Sequence, residues 1–353
     1  MSLTTMLNGK KKADLEFQTI LRNTIPSKKE FSTYSGKKAF TAEYQLSVPY
    51  ILTTSYQASV VGTAFDLMAR FIISQTIKNN KDTVLSLRPA REGLELIKRF
   101  CNENTSESLN KKYIEGTTLA ENFIKNRDVT YHDLLPYATF MARLEHTYRS
   151  GMPSKNIKAD LIGEEESEIL VDLEQLCEVF KQNFMTPQVI NHESVVVFNP
   201  HFGFASRSCG GADADVYIDG TLYDFKTTKI TGYRWKEIAQ VFGYYFLDCV
   251  ENRFENNSSQ LQSCQINRLA FYKARYGEVE YIDISTMNKE KLCETTNKLH
   301  ALLSPRISLM REQETLISQK RSDLNVPANR DSYFGPVIFL LVIMLVLMIF
   351  IFI

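Results

Sequence analysis

The sequence predicts an α/β protein in which a mixed central sheet, from about residue 193 to 284, is flanked by helices and preceded by a largely helical region. Apolar residues recur at helical spacing through much of the first half of the chain. After residue 193, short β-branched runs alternate with turn signals, which is typical of strands. A helical pattern at 233–250 then separates the earlier strands from the later ones.

Composition divides the 353-residue chain into five parts. The first is polar and basic and is expected to be partly disordered. It is followed by a mainly helical region, by the sheet with its trailing helices, by a linker, and by an apolar anchor. In that order, the parts are 1–35, 36–190, 191–320, 321–332 and 333–353.

The net charge of the chain is zero, so overall charge neither indicates nor excludes nucleic acid as a partner. A protein that binds nucleic acid would need a local basic patch, because phosphate binding depends on nearby lysine and arginine. The candidates for such a patch are Lys226, Lys229, Arg234, Lys236, Arg268, Lys273 and Arg275. No two of the six cysteines have CxxC spacing, so the sequence indicates reduced cysteines rather than a zinc or cluster site.

Three segments of the first half have the apolar spacing of helices. They cover residues 60–80, 117–149 and 164–184. In the first of them, Thr63 is a candidate N-cap with Asp66 three places on, which is the spacing of a capping box.

The second half contains short β-rich runs bounded by turn residues. Outside the central hairpin, the predicted strands are 194–198, 265–274 and 278–284. A helix follows from about residue 288 to about 320, and Pro305 is expected to interrupt it.

The runs ADADVYI and TLYDFKTT are joined by an Asp-Gly pair at 219–220, which is a strong signal for a hairpin with a two-residue loop. That loop fixes the register of the two strands. Continuing outward from it, Asp215 would lie opposite Asp224, and Asp213 opposite Lys226. Since strand side chains alternate between faces, all four project from the same face.

Directly opposed carboxylates have Cβ atoms about 4.5–5.5 Å apart and repel each other. A shared cation removes the repulsion, and Mg²⁺ or Mn²⁺ suits a site that offers only oxygen ligands. Asp215 and Asp224 are therefore candidate metal ligands. Lys226 would polarise an attacking water or a phosphate oxygen. The alternative is a solvated hairpin face that carries charge without a function.

The segment GGADADVYIDGTLYDFKTTK resembles the central motif of the PD-(D/E)XK nucleases, in particular their RecB-like branch. The resemblance implies a restriction-endonuclease-like core. It also implies that Asp215 is the first metal-binding acid, with Asp213 as a candidate substitute or helper, and that Asp224 and Lys226 form the D-x-K. The backbone carbonyl of Phe225 is then expected to touch the metal as well.

Two further motifs extend the resemblance. Gln240 and Tyr244 match the Q-x-x-x-Y of the RecB-like branch, and their spacing puts both on one helical face. Upstream, Gly62 matches the start of a G-x-x-x-H motif, but Asp66 stands where the family has histidine. Asp66 is thus either a substitute metal ligand or a capping residue. The cysteine cluster of the family's iron–sulfur members is missing, so no iron–sulfur centre is expected.

Residues 336–353 read PVIFLLVIMLVLMIFIFI, without a charged or polar side chain. This length is at the short end of membrane-spanning helices. Basic residues precede the run, so the positive-inside rule places the large N-terminal part in the cytoplasm. The alternative is a buried core helix, but a helix that is apolar on every face has no polar side to turn to solvent. We expect a single C-terminal anchor.

Taken together, these motifs predict a Mg²⁺- or Mn²⁺-dependent nuclease that hydrolyses phosphodiester bonds of DNA while tethered to a membrane. No GxxxxGK[ST], HExxH or GxSxG motif indicates another chemistry. The alternative is a catalytically silent, membrane-tethered module that binds nucleic acid or another partner through a nuclease fold. These residues do not distinguish a role in defence from one in repair.

Overall fold

The computed structural model describes residues 3–78, 84–85, 87–153, 156–163, 165–254, 257–262 and 264–323. Of the described residues, those up to Ile307 form one compact unit, and 308–323 belong to a second. The first unit contains helices and a six-stranded mixed sheet, which confirms the α/β class. The predicted anchor at 333–353 lies outside the described residues. Among the described residues, no helix is long and apolar enough to cross a membrane.

The chain before residue 190 is mainly helical. Its helices are α1 (Leu3–Asn8), α2 (Lys12–Arg22), α3 (Ser55–Thr76), α4 (Arg88–Lys98), α5 (Glu103–Ile124), α6 (Tyr131–Ser150), α7 (Ile157–Leu161) and α8 (Ser167–Asn183). The single helix predicted over 117–149 is wrong, because α5 ends and α6 begins anew within it. Asp133 accepts the Thr130 N–H at 2.7 Å in a capping box. This local start signal outweighs the continuous apolar pattern.

Residues 3–35 pack against the rest of the unit, so the expectation of a partly disordered start is wrong. α1 and α2 bury Leu3, Met6 and Phe17. The Leu3 N–H also donates to the Gly211 carbonyl at 2.9 Å. The polar composition of this segment concealed a small set of apolar side chains at helical spacing, and burial of that set is sufficient to dock two short helices.

α3 begins earlier than predicted and has a different cap. The Thr54 hydroxyl accepts the Gln57 N–H at 3.1 Å, and the Gln57 side chain accepts the Thr54 N–H at 3.1 Å. This reciprocal pair is a capping box. Thr63 and Asp66 therefore lie inside the helix, and the predicted cap at Thr63 is wrong.

The sheet runs in the spatial order β1-β6-β5-β4-β3-β2. Its strands are β1 (Ser32–Thr33), β2 (Val196–Phe198), β3 (Val216–Ile218), β4 (Thr221–Lys226), β5 (Arg268–Lys273) and β6 (Glu278–Asp283). β4 and β5 are parallel, and every other neighbouring pair is antiparallel. Parallel neighbours need a crossover, which here includes α10 (Trp235–Glu251).

Two further helices lie in the second half of the chain. α9 (Gly203–Ser208) lies between β2 and β3, and α11 (Lys289–Asp323) follows β6. Pro305 lies inside α11 and does not end it, so the predicted interruption is wrong.

The helical region and the sheet share one hydrophobic core. The Phe180 ring of α8 lies 5.7 Å from that of Phe225 and 5.4 Å from that of Tyr272, centroid to centroid. One sheet face therefore packs on the helices of the first half. Because side chains alternate along a strand, Asp224 and Lys226 project to the opposite face, where α10 contacts β4 and β5.

A buried ion pair ties the end of β5 to α8. The guanidinium of Arg275 meets the carboxylate of Asp172 in two hydrogen bonds of 2.8 and 2.7 Å, and both side chains are almost fully buried. Arg275 Nε also donates to the Thr227 carbonyl at 2.6 Å. The residue thus links the helical region to the segment that leaves β4.

We expect Asp172→Ala to lower the free energy of unfolding by about 3–5 kcal/mol, because it leaves the Arg275 guanidinium buried without its anion. The matched control is Asp283→Ala, since its partner Arg268 is partly exposed. The control should lose about 0–1 kcal/mol. Urea unfolding of the two variants measures both. A loss for Asp172→Ala no larger than the control's would contradict the prediction.

Candidate functional site

The hairpin that carries the predicted site has the predicted two-residue loop. Val216, Tyr217 and Ile218 of β3 pair with Tyr223, Leu222 and Thr221 of β4, respectively. Asp219 and Gly220 have φ angles of 44° and 90°, as a hairpin loop of this kind requires. The Asp219 carboxylate also accepts the Val195 N–H at 2.8 Å. Loop chemistry thus sets the register on which the positions of the acids depend.

Asp215 lies just before β3, and its carboxylate reaches β4. Its Oδ2 accepts the Phe225 N–H at 2.5 Å, which holds it beside Asp224. Burial raises the pKa of Asp215 well above its ordinary value, and the charges of Asp224 and Asp66 raise it further. The structure therefore brings Asp215 and Asp224 together, as the register predicts.

Asp224 and Lys226 form an ion pair on the sheet face away from the aromatic core. Nζ of Lys226 lies 2.5 Å from Oδ2 of Asp224, and both side chains are largely buried. Burial disfavours the ammonium form, but the charges of Asp224 and Asp215 outweigh burial and raise the pKa of Lys226. Oδ2 of Asp224 is thus a buried oxygen that already faces a cation.

Asp66 brings a third carboxylate to the site from α3. The helix passes close to the end of β4, since a Cβ at Gly62 would lie 3.3 Å from Thr227 Oγ1. One turn later, Asp66 Oδ2 accepts from Arg70 Nη2 at 2.7 Å. Asp66 Oδ1 is buried and accepts no hydrogen bond from the described residues. Burial raises the pKa of Asp66 despite the adjacent Arg70, and its charge acts in turn on Asp215.

Asp213 lies outside the paired part of the β3–β4 hairpin, whose ladder ends at Val216 and Tyr223. On the other edge of β3 it forms an isolated bridge with His201, and the Asn199 N–H donates to the Asp215 carbonyl at 3.1 Å. Both contacts continue the pairing of β2 with β3. Asp213 is exposed, and its position opposite Lys226 stays a prediction.

Gln240 and Tyr244 lie on α10, the helix that packs on the sheet face carrying Asp224. Gln240 Nε2 donates to the Tyr244 hydroxyl at 2.7 Å, so the hydroxyl's own proton remains available to another acceptor. Burial raises the pKa of Tyr244 well above its ordinary value, and Asp224 and Asp215 add to the effect. Tyr244 is therefore a protonated donor within the electrostatic range of both acids.

Most residues of the predicted basic patch have carboxylate partners inside the protein. Arg275 pairs with Asp172, Arg268 with Asp283, Arg234 with Glu237, and Lys273 lies near Glu280. Arg275 and Lys273 are also buried. These two buried cations support the fold and cannot form a phosphate-binding surface. Sequence position alone did not reveal this, because burial depends on which face of a strand each side chain takes.

Two residues near the site were missed by the sequence analysis. Glu237, in the first turn of α10, interacts electrostatically with Lys226 and helps to raise its pKa. Arg149, at the end of α6, is exposed, pairs with Glu145 and acts electrostatically with Asp66. Glu237 could have been found from its place one turn before Gln240. Nothing in the sequence indicated Arg149, because the pairing of α6 with α3 is a long-range contact.

The three acids are not gathered as tightly as bound ligands would be. Among the described residues, one group of three potential ligand side chains has all its ligand atoms within 4.8 Å of one another, and it is His132, Glu174 and Glu178. His132 and Glu174 are half-exposed and 3.2 Å apart. The carboxylate oxygens of Asp66, Asp215 and Asp224 are farther apart than those of this group. Such a spread is expected of carboxylates that repel each other and whose cations, Arg70 and Lys226, each pair with one of them.

The raised pKa of Asp215 predicts that Asp215→Asn stabilises the metal-free protein near neutral pH. An unfolded aspartate titrates near pH 4, whereas the folded one holds its proton to higher pH. Its buried charge therefore costs stability above the folded pKa, and the cost vanishes as pH falls toward that of the unfolded chain. Thermal unfolding in EDTA between pH 4.5 and 8 should show a gain for Asp215→Asn that shrinks on acidification.

The control for this measurement is Asp128→Asn, which changes an exposed side chain and should leave the melting temperature nearly unchanged at every pH. If Asp215→Asn destabilised the protein at pH 8 in EDTA, the raised pKa of this carboxyl would be contradicted.

The site as a whole is assembled from α3 and from the β3–β4 hairpin and α10, which follow one another much later in the chain. Comparison with known protein families, with curated proteins and with solved structures found no match for this chain. The chemistry of its own residues is therefore the basis for a function.

Proposed function

We propose that the protein is a metal-dependent nuclease of the PD-(D/E)XK type that hydrolyses phosphodiester bonds, with DNA as the expected substrate. The observation that carries the proposal is the pairing of Asp215 and Asp224, two largely buried carboxylates from one hairpin, with Lys226 on the same face. Burying like charges side by side is unfavourable without a cation. A structural role for the hairpin would not need them.

The residues present fit a divalent oxygen-seeking ion. Asp66 Oδ1 is a buried oxygen that accepts no hydrogen bond from the described residues. Asp224 Oδ2 is buried beside the ammonium of Lys226, and the charges of Asp224 and Asp66 both raise the pKa of Asp215. Asp215 and Asp224 would hold Mg²⁺ or Mn²⁺, with Asp66 as a third ligand. Such an ion activates a water and neutralises charge that develops on the phosphate.

The remaining side chains orient the reacting groups. Lys226 presents an ammonium beside Asp224, where it orients a nucleophilic water or stabilises negative charge on a phosphate oxygen. Tyr244 accepts a hydrogen bond from Gln240 and stays protonated near the acids, so its hydroxyl proton is available to the substrate or to a carboxylate. Asp66 replaces the histidine of the family motif with a ligand of the same hard-oxygen chemistry as the other two acids.

A second part of the proposal concerns location. The uncharged run 336–353 has the composition of a membrane-spanning helix. We propose that it tethers the nuclease part to a membrane, with that part facing the cytoplasm. A catalytically silent, tethered binding module remains the competing function, and it differs from the nuclease in one measurable respect: it would not cut.

Asp215→Ala, Asp224→Ala and Lys226→Ala should each reduce Mg²⁺-dependent cleavage on the order of 100-fold or more, because each removes a metal ligand or a charge-stabilising group. EDTA should abolish cleavage by the parent protein. The measurement is a cleavage assay on linear, circular and single-stranded DNA, with circular dichroism as the check on folding.

Asp213→Asn is the matched control, since it removes a nearby but exposed carboxylate and should retain far more activity than Asp215→Asn. Cleavage at the parent rate by Asp224→Ala would eliminate the proposed site. DNA binding without cleavage by the parent protein would instead support the silent module.

The tether predicts a fractionation result. The full-length chain should stay in the membrane pellet through a carbonate wash, because some eighteen apolar residues favour insertion. A chain that ends at Asp331 should be soluble and should still cut DNA. Full-length protein found as a soluble monomer would overturn the tether and leave the nuclease proposal intact.

A further inference from the structure

A second lysine lies beside the one in the proposed site. Lys273 of β5 is the direct register partner of Lys226 of β4, so their side chains leave the sheet on the same face. The Lys273 side chain has no solvent exposure. It therefore cannot reach a substrate, and its charge must act through neighbouring groups.

The buried ammonium has two carboxylate neighbours at ion-pair distance. Nζ of Lys273 lies 3.6 Å from Glu280 Oε2 and 4.0 Å from Glu237 Oε2. Neither Nζ nor Glu280 Oε2 has a hydrogen-bond partner among the described residues. The rings of Phe40 and Phe271 lie 5.4 and 5.8 Å from Nζ. Lys273 therefore interacts with the two acids through charge and not through hydrogen bonds. Its surroundings are apolar, and electrostatic attraction is stronger there than in water.

Glu237 connects this buried charge to the proposed site. It stands in the first turn of α10, and its other oxygen lies 3.0 Å from Arg234 Nη1. Its charge also acts on Lys226. Lys226 thus interacts with three anions: Asp224 on its own strand, Asp215 of the same hairpin, and Glu237 on α10.

We propose that Lys273 and Glu237 are positioning residues for Lys226: the charge of Lys273 attracts the Glu237 carboxylate, so Lys226 remains paired with Asp224 at the reacting centre. The inference rests on the proposed role of Lys226 in phosphodiester hydrolysis. Without Lys273, the Glu237 carboxylate would lose one of its cations, and Lys226 is the nearest replacement in register.

A purely structural role for Lys273, as the counter-ion of buried Glu280, must be separated from the positioning role. Lys273→Met alone would leave the Glu280 charge unpaired and could unfold the protein. The test therefore uses Lys273→Met with Glu280→Gln, which removes both charges together. The amide oxygen of the introduced glutamine can still accept from the Phe40 N–H and the Tyr44 hydroxyl, which Glu280 Oε1 accepts at 2.6 and 2.8 Å. Methionine suits the two aromatic neighbours of Lys273.

The experiment compares the full-length parent, the double variant and a triple variant that adds Glu237→Gln. We expect cleavage by the double variant to fall at least tenfold in kcat with little change in KM. Mn²⁺ binding, measured with the metal alone, should be as tight as in the parent or tighter, because Lys226 no longer competes at Asp224. The triple variant should recover most of the cleavage, since Glu237 can no longer draw Lys226 away.

Equal impairment of the double and triple variants, or loss of Mn²⁺ binding in parallel with cleavage, would show a structural role and overturn the proposal. A crystal structure of the double variant gives a readout that needs no activity. In that structure, Lys226 Nζ should lie within 4 Å of the Glu237 carboxylate. If Lys226 remained paired with Asp224, the positioning role would also be overturned. If the parent does not cut DNA, the proposed function fails. The crystal structure of the double variant still shows whether Lys226 pairs with Asp224 or with Glu237, and so tests the positioning role separately.

Discussion

Repulsion between buried carboxylates is the constraint on which the rest of the site depends. The β3–β4 hairpin places Asp215 and Asp224 side by side, and α3 adds Asp66. Burial in a protein penalises each charge, and proximity penalises them together. The surrounding elements limit this cost through a backbone N–H donor, that of Phe225, and through the cations Lys226 and Arg70.

The acids are only partly compensated by neighbouring cations. Arg70 donates to Asp66 within α3, and Lys226 lies against Asp224 within β4. Asp215 has the Phe225 N–H as a close donor, and burial and the neighbouring acids still raise its pKa well above the ordinary value. Partial compensation of this kind is what the proposed metal site requires, whereas full neutralisation by internal ion pairs would leave no net negative charge for a divalent cation.

The sequence predicted the parts of the fold that local chemistry determines. The Asp-Gly loop, the strands around it and α10 followed from turn residues and periodicity. Long-range packing was not predictable in the same way. The pairing of Asp213 with His201 depends on how the segment after β2 returns to the sheet. Asp66 was ambiguous for a similar reason: a capping box and a site residue have the same local sequence, and only the position of α3 over β4 separates them.

The most direct test of the account is to locate Mn²⁺ by its anomalous scattering in crystals of the chain ending at Asp331. If the two acids form the proposed metal site, we expect a peak between the carboxylates of Asp215 and Asp224, within about 2.0–2.4 Å of an oxygen from each. We also expect the peak to disappear in Asp224→Ala. An anomalous peak found solely at His132, Glu174 and Glu178, or none on the hairpin at millimolar Mn²⁺, would contradict it.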